Sequence, residues 1–254
     1  MPGMSVWKKH WNTVLFVCIQ TFLYGVFLTL DITGSNTNLS NGVKFFIIIL
    51  CFCYVLFYRK STDKSILYIL RAGLFFTVIS DLFLLLLDYY VWGVISFIVV
   101  QQLYAFKLDL SAERSHPQDM GKGILPSFFI RICLQLLMTG LLCVILLLLG
   151  IDLDILITIT IVYFISIVTN VIHAIKECIS SAGLSSSLFA GGMILFLLCD
   201  INVGLFNLAD VFNLSGQSYD LIYSLSSILM WTFYAPSQVL IALSAVKQQN
   251  RQKI

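Results

Sequence analysis

Eight nearly continuous apolar runs divide this chain, at residues 12–30, 43–58, 65–87, 89–106, 126–150, 152–173, 185–206 and 221–246. No other feature restricts the fold as strongly. The hydrocarbon core of a bilayer is crossed by about 20 apolar residues of helix, and these runs have that length or approach it. The second and fourth are the shortest. With 59% hydrophobic and 11% charged residues, against roughly 25% charged in an ordinary soluble domain, a soluble globule could not cover its own surface. Disordered and disulfide-scaffold classes fail on the same numbers. Membrane β-barrel strands alternate weakly over ~10 residues, whereas these runs are unbroken. The chain reads as an all-α, polytopic membrane bundle of eight transmembrane helices. Every loop is too short to be a domain, so residues 1–254 read as a single membrane domain.

Orientation follows from the placing of Lys and Arg, which favour the cytoplasmic side. Lys8, Lys9, Arg59, Lys60, Lys64, Arg71, Lys107, Arg114, Lys122, Arg131, Lys176, Lys247, Arg251 and Lys253 fall on one side of an eight-span order. Lys44 alone falls on the other, where the loops carry Asp31, Asp88, Asp152, Asp154, Asp210 and Asp220. Both termini are expected in the cytoplasm. Cysteine labelling at engineered sites near residues 115 and 215 is expected to report opposite sides of the membrane; equal labelling from one side contradicts the eight-span order. The first run follows Lys8 and Lys9 but is too long for a signal-peptide core and lacks an A-x-A-like site, so it reads as a span. Ser111 to Lys122 is the longest polar stretch and reads as a mobile cytoplasmic loop.

Thirteen residues are acidic, and eleven of them lie in loops or at span ends. Asp81 and Asp200 do not. An ionised carboxylate in the bilayer centre is disfavoured by ~2.5–3.5 kcal/mol on insertion scales, so each should face a cavity or a partner. Both lie six or seven residues before the outer ends of their spans, and are expected at one depth, able to meet across one cavity. Their surroundings are alike: Gly73 and Gly192 each stand eight residues before the aspartate, slightly over two helical turns. A small residue there permits close helix approach. Spans three and seven are four apart, which reads as two parallel four-helix repeats. The bland alternative is a pair of interhelical hydrogen-bonding groups that only hold the bundle together.

Gln102-Leu-Tyr104 in span four and Gln238 in span eight form a fainter echo, either glue between helices or donors to a carboxylate or lipid head group. Pro236 is expected to kink helix eight and free carbonyls beside Tyr234 and Gln238, while Trp231 and Tyr234 read equally well as packing aromatics. Other chemistries lack residues. His10, His116 and His173 are not gathered at one depth, so a three-His zinc site is not expected, and no cofactor is implied. Every Lys reads as outside the spans or at their edges, which disfavours a retinal linkage. The seven cysteines lie in or beside apolar runs and read as small packing residues. Asn38-Leu-Ser40 and Asn213-Leu-Ser215 are glycosylation acceptors if the source is eukaryotic. A net charge of +2 gives no sign of a nucleic-acid partner.

The Ser80-Asp81 pair, the stretch Gly191-Gly-Met-Ile-Leu-Phe-Leu-Leu-Cys-Asp200, and Tyr234-x-x-x-Gln238 near the end resemble the YhhN-type lysoplasmalogenases, across most of the chain in span number and order. That family carries Gly-Asp and Ser-Asp where this chain has Ser80-Asp81 and Cys199-Asp200. The resemblance implies hydrolysis of the vinyl ether bond of a lysoplasmalogen, or related lysophospholipid, to a fatty aldehyde and a glycerophospho head group. It implies Asp81 and Asp200 as catalytic residues, with Ser80, Gln102, Tyr104, Tyr234 and Gln238 as candidates for substrate binding. Two carboxyls suit this chemistry, because protonation of the alkene carbon forms an oxocarbenium ion like that of glycoside hydrolysis. A transporter using the aspartates as a proton or cation relay fits the same residues, as does a lipid-sensing bundle without catalysis. A broken helix at the aspartates would favour transport.

Overall fold

The computed structural model describes residues 3–58, 63–115, 124–211 and 217–245. They form eight helices: α1 (Gly3–Thr33), α2 (Thr37–Phe57), α3 (Lys64–Leu85), α4 (Tyr90–Ser115), α5 (Ile124–Leu148), α6 (Ile155–Ser181), α7 (Leu184–Val211) and α8 (Gln217–Leu243). Each is long and apolar enough to cross a membrane. Leucines such as Leu137, Leu141 and Leu148 on α5 point outward, exposed. A water-soluble surface rarely carries so broad an apolar face; here it faces lipid. The protein is an integral, multi-pass membrane protein.

Local signals set several helix starts. The Asn36 side chain accepts from Leu39 N–H, Asp63 accepts from Ser65 and Ile66, and Asp154 accepts from Ile157. Each satisfies amides left open in a first turn. Asn36 starts α2 at Thr37, six residues before the expected 43, because the polar segment Thr37–Gly42 is helical. Asn38-Leu-Ser40 therefore lies in a helical turn and not in a loop, with Ser40 buried. The second acceptor, at 213–215, lies outside the described residues. α4 runs on to Ser115, so the start of the expected loop is helix; residues 116–122 lie outside the described set. α6 continues to Ser181, which leaves His173 inside the helix and not at its end. Ala182 closes α6 in the left-handed region, at φ 46°.

α7 packs on α8 and α3 on α4 in the two most extensive helix interfaces, and α4 also meets α5 and α6. The two glycines explain the closeness. A methyl group at Gly73 would come within 2.5 Å of the Tyr104 ring, and one at Gly192 within 2.7 Å of Ile241 Cγ1 and 2.9 Å of the Ser237 carbonyl oxygen. The tight helix approach expected from the two Gly…Asp segments is present at both. Because backbone cannot give way, Gly192→Ala is expected to destabilise the protein by about 1–3 kcal/mol, as overpacking does. Gly204, with nothing near its missing Cβ, should tolerate Ala. Thermal unfolding of both variants in detergent is the check.

Three basic residues are not where the sequence suggested. Lys44, Lys107 and Arg131 are all buried. Arg131 on α5 is paired with Asp109 on α4, Lys44 on α2 with Asp31 on α1 at 2.8 Å, and the Lys107 ammonium lies over the Phe189 ring. The extra turns of α4 place Lys107 and Asp109 inside the helix bundle. Lys44, the exception in the charge distribution, is an ion-paired interior group and not a loop charge.

Candidate active site

Asp81 on α3 is 3% exposed, and Asp200 on α7 is half-buried. The Tyr234 hydroxyl on α8 donates to Asp81 Oδ2 at 2.7 Å. The Tyr163 hydroxyl on α6 donates to Asp200 Oδ2, also at 2.7 Å. Each interior carboxyl thus has one oxygen held by a phenol. The two phenols converge on one residue of α4: the Phe97 ring centre lies 5.7 Å from that of Tyr163 and 6.3 Å from that of Tyr234. Phe196 on α7 closes the group, 5.6 Å from Phe97 and 5.4 Å from Tyr234. Cys199, buried beside Asp200, is within electrostatic range of both carboxyls. Five helices contribute to one aromatic-walled cluster.

The aspartates are not equally far from the ends of their helices. Asp81 is followed by four further helical residues and Asp200 by eleven, so equal distance from the helix ends does not align them. Phe97 packs against the tyrosine of each aspartate. The repeat symmetry is also broken at the site, since Asp81 takes its phenol from α8 and Asp200 from the adjacent α6.

Of the proposed substrate-binding residues, only Tyr234 joins the aspartates. The Ser80 hydroxyl is committed to the Gly93 carbonyl at 2.6 Å and ties α3 to α4. Gln102 bonds Gln135 on α5 and Ser166 on α6, in a separate polar cluster. Tyr104 fills the space over Gly73 and meets Phe189 edge-on. Gln238 is buried one turn beyond Tyr234, its amide donating to Ser237. Pro236 does free a carbonyl, that of Thr232 one turn back, and Tyr24 on α1 donates to it at 3.4 Å. α8 stays helical through Leu243.

Tyr163 was missed. Asn170, on the same face of α6 seven residues on, donates to the Gln101 side-chain oxygen at 3.0 Å and to its backbone carbonyl at 2.7 Å. The signal was present: Tyr163, Ser166 and Asn170 recur at helical spacing in an otherwise apolar span.

Two interior aspartates, each with one oxygen bonded to a phenol, thus stand in a bundle of eight membrane-spanning helices. The YhhN family profile matches residues 39–245, most of the chain, and the chain belongs to the YhhN family. No match was found among curated proteins or solved structures.

Proposed function

We propose that this protein hydrolyses the vinyl ether bond of a lysoplasmalogen within the membrane, with Asp81 and Asp200 as the acid–base pair. The observation that carries the reading is the cluster itself. Two carboxyls, each with a single oxygen bonded to a phenol, keep their other oxygens for a substrate. One carboxyl gives its proton to the alkene carbon beyond the ether-bearing carbon, leaving an oxocarbenium ion. The other, ionised, stabilises that cation and takes a proton from the water that adds to it. The resulting hemiacetal collapses to a fatty aldehyde and a glycerol hydroxyl on the head-group fragment. No metal or covalent intermediate enters.

The surroundings suit a cationic transition state. The faces of Phe97, Phe196, Tyr163 and Tyr234 carry negative electrostatic potential, and cations near such rings are favoured by about 0.5–2 kcal/mol. Charge stabilisation in a water-poor site is stronger than in solution. The tyrosines hold the carboxyls in position before substrate arrives, which lowers the reorganisation needed at the transition state. α3 and α7 run unbroken through Asp81 and Asp200, which favours hydrolysis over a transporter built on discontinuous helices. The loop charges support an orientation with both termini cytoplasmic.

The test is a mass-spectrometric screen of the purified protein against 1-alkenyl and 1-acyl lysophospholipids. The expected result is fatty aldehyde from the alkenyl lipids. Release of fatty acid from the acyl lipids alone, or of no product, overturns the reading.

A further inference from the structure

Where α1 ends and α2 begins, a recess of about 190 Å³ opens between Asp31 and Gly34 on one side and Lys44, Ser227 and Ile228 on the others. It lies at the end of the bundle toward which α3 carries Asp81. Its two charged groups are largely desolvated: the side chain of Lys44 is 7% exposed and that of Asp31 15%. They pair at 2.8 Å through Asp31 Oδ2, and the Ser40 hydroxyl donates to Oδ1 at 2.5 Å. The Lys44 ammonium also stands 5.0 Å from the Trp231 ring centre. Trp231 meets Tyr234 edge-on at 5.2 Å, and Tyr234 donates to Asp81. A continuous line of contacts therefore runs from the recess to the carboxyl.

We infer that this recess binds the zwitterionic head group of a glycerophospholipid, its phosphate on Lys44 and its amine on Asp31. The inference rests on the hydrolytic reading above and specifies the substrate that reading leaves open. Burying two charges is costly unless both are fully compensated, so a buried ion pair is a poor device for merely joining α1 and α2. Here both partners face the same open space. A phosphate and an amine entering together exchange one internal pair for two pairs with the ligand, so charge stays balanced throughout. Only the glycerol backbone separates the phosphate of a lysoplasmalogen from its vinyl ether. A head group seated at Lys44 thus sets the cleavable bond along the Trp231–Tyr234 wall, next to Asp81. Trp231, between the two, is a positioning residue.

The experiment measures binding of two uncleavable saturated ether lipids to the purified protein in detergent by native mass spectrometry. One is a 1-alkyl lysophosphoethanolamine; the other is the matching 1-alkylglycerol, which lacks the head group. The wild type should prefer the first. Lys44→Gln should weaken that lipid by roughly tenfold or more, the loss expected for a charged hydrogen bond, and leave the alkylglycerol unchanged. Ser227→Phe fills the recess without touching the ion pair and should give the same selective loss, which keeps the test decisive if Lys44→Gln fails to fold. Equal affinity of the wild type for the two lipids, or equal weakening of both by the variants, overturns the inference. So does binding of free phosphoethanolamine as tight as that of the lipid. Selective binding without aldehyde release from the alkenyl lipid leaves the head-group site standing and removes the hydrolytic reading. Aldehyde release without head-group selectivity does the reverse.

Discussion

Replacing either Asp81 or Asp200 with Asn is expected to abolish most aldehyde release while the protein remains folded. Asn matches Asp in shape and still accepts a hydrogen bond from Tyr234 or Tyr163. It removes a carboxyl from the membrane interior, where charge is disfavoured, so stability should hold or rise slightly. What Asn lacks is the acidic proton and the negative charge. General acid and base contributions are typically ~10²–10⁴-fold each, and that is the loss expected per variant. Because the two groups act on one transition state, their losses should not multiply. The double variant should be scarcely slower than the poorer single one. A merely structural pair gives the opposite pattern, with poor folding and near-normal turnover in the protein that survives. The measurement is aldehyde released per folded molecule for both single variants and the double.

The second large effect should come from the phenols. Tyr234→Phe and Tyr163→Phe keep the rings that pack against Phe97 and delete only the hydroxyls that hold Asp81 and Asp200. A hydrogen bond to a charged group contributes about 1.5–3 kcal/mol, so each change should lower turnover by roughly ten- to a hundredfold. The diagnostic outcome is a coupling. In the Asp81→Asn background, Tyr234→Phe should have little further effect, because the carboxyl it oriented is gone; Tyr163→Phe should behave likewise with Asp200→Asn. Additive losses within each pair would show that the tyrosines act on something other than their carboxyls. A double-mutant cycle on turnover decides between these.

The aspartates were legible in the sequence for an energetic reason. An acid inside an apolar run is so costly that its presence demands explanation, and Asp81 and Asp200 stood out at once. The glycines before them were legible too, since a helix that must lie close to its neighbour can carry no side chain at the crossing. The partners were not legible, because hydrogen-bond pairing depends on helix rotation and order, which hydropathy does not encode. Gln102 and Gln101 show the limit: one residue is about 100° around a helix. That rotation turns Gln101 to Asn170, and Gln102 to Gln135 and Ser166. Ser80 stands next to Asp81, but adjacent helical residues face different directions, and its hydroxyl serves the Gly93 carbonyl. The buried pair Asp109–Arg131 escaped notice because each residue sits near the end of an apolar run, where charge is ordinary. Only the added turns of α4 make them interior.

Tyr163 is the most instructive omission. Tyrosine in a membrane helix is commonplace at the interface, so a single one carries no alarm. Its spacing from Ser166 and Asn170 did, since three polar side chains on one face of a span require a polar neighbour across the helix interface.

The central proposed step is protonation of an alkene carbon by the aspartate pair. Turnover of a 1-alkenyl lysophospholipid in deuterium oxide tests it most directly, with the aldehyde reduced to the alcohol as it forms so that no later exchange intervenes. The account predicts one deuterium on the carbon next to the former aldehyde carbon, at a rate that collapses in Asp81→Asn and Asp200→Asn. Aldehyde carrying no deuterium there, or formed as fast by either variant as by the wild type, would contradict it.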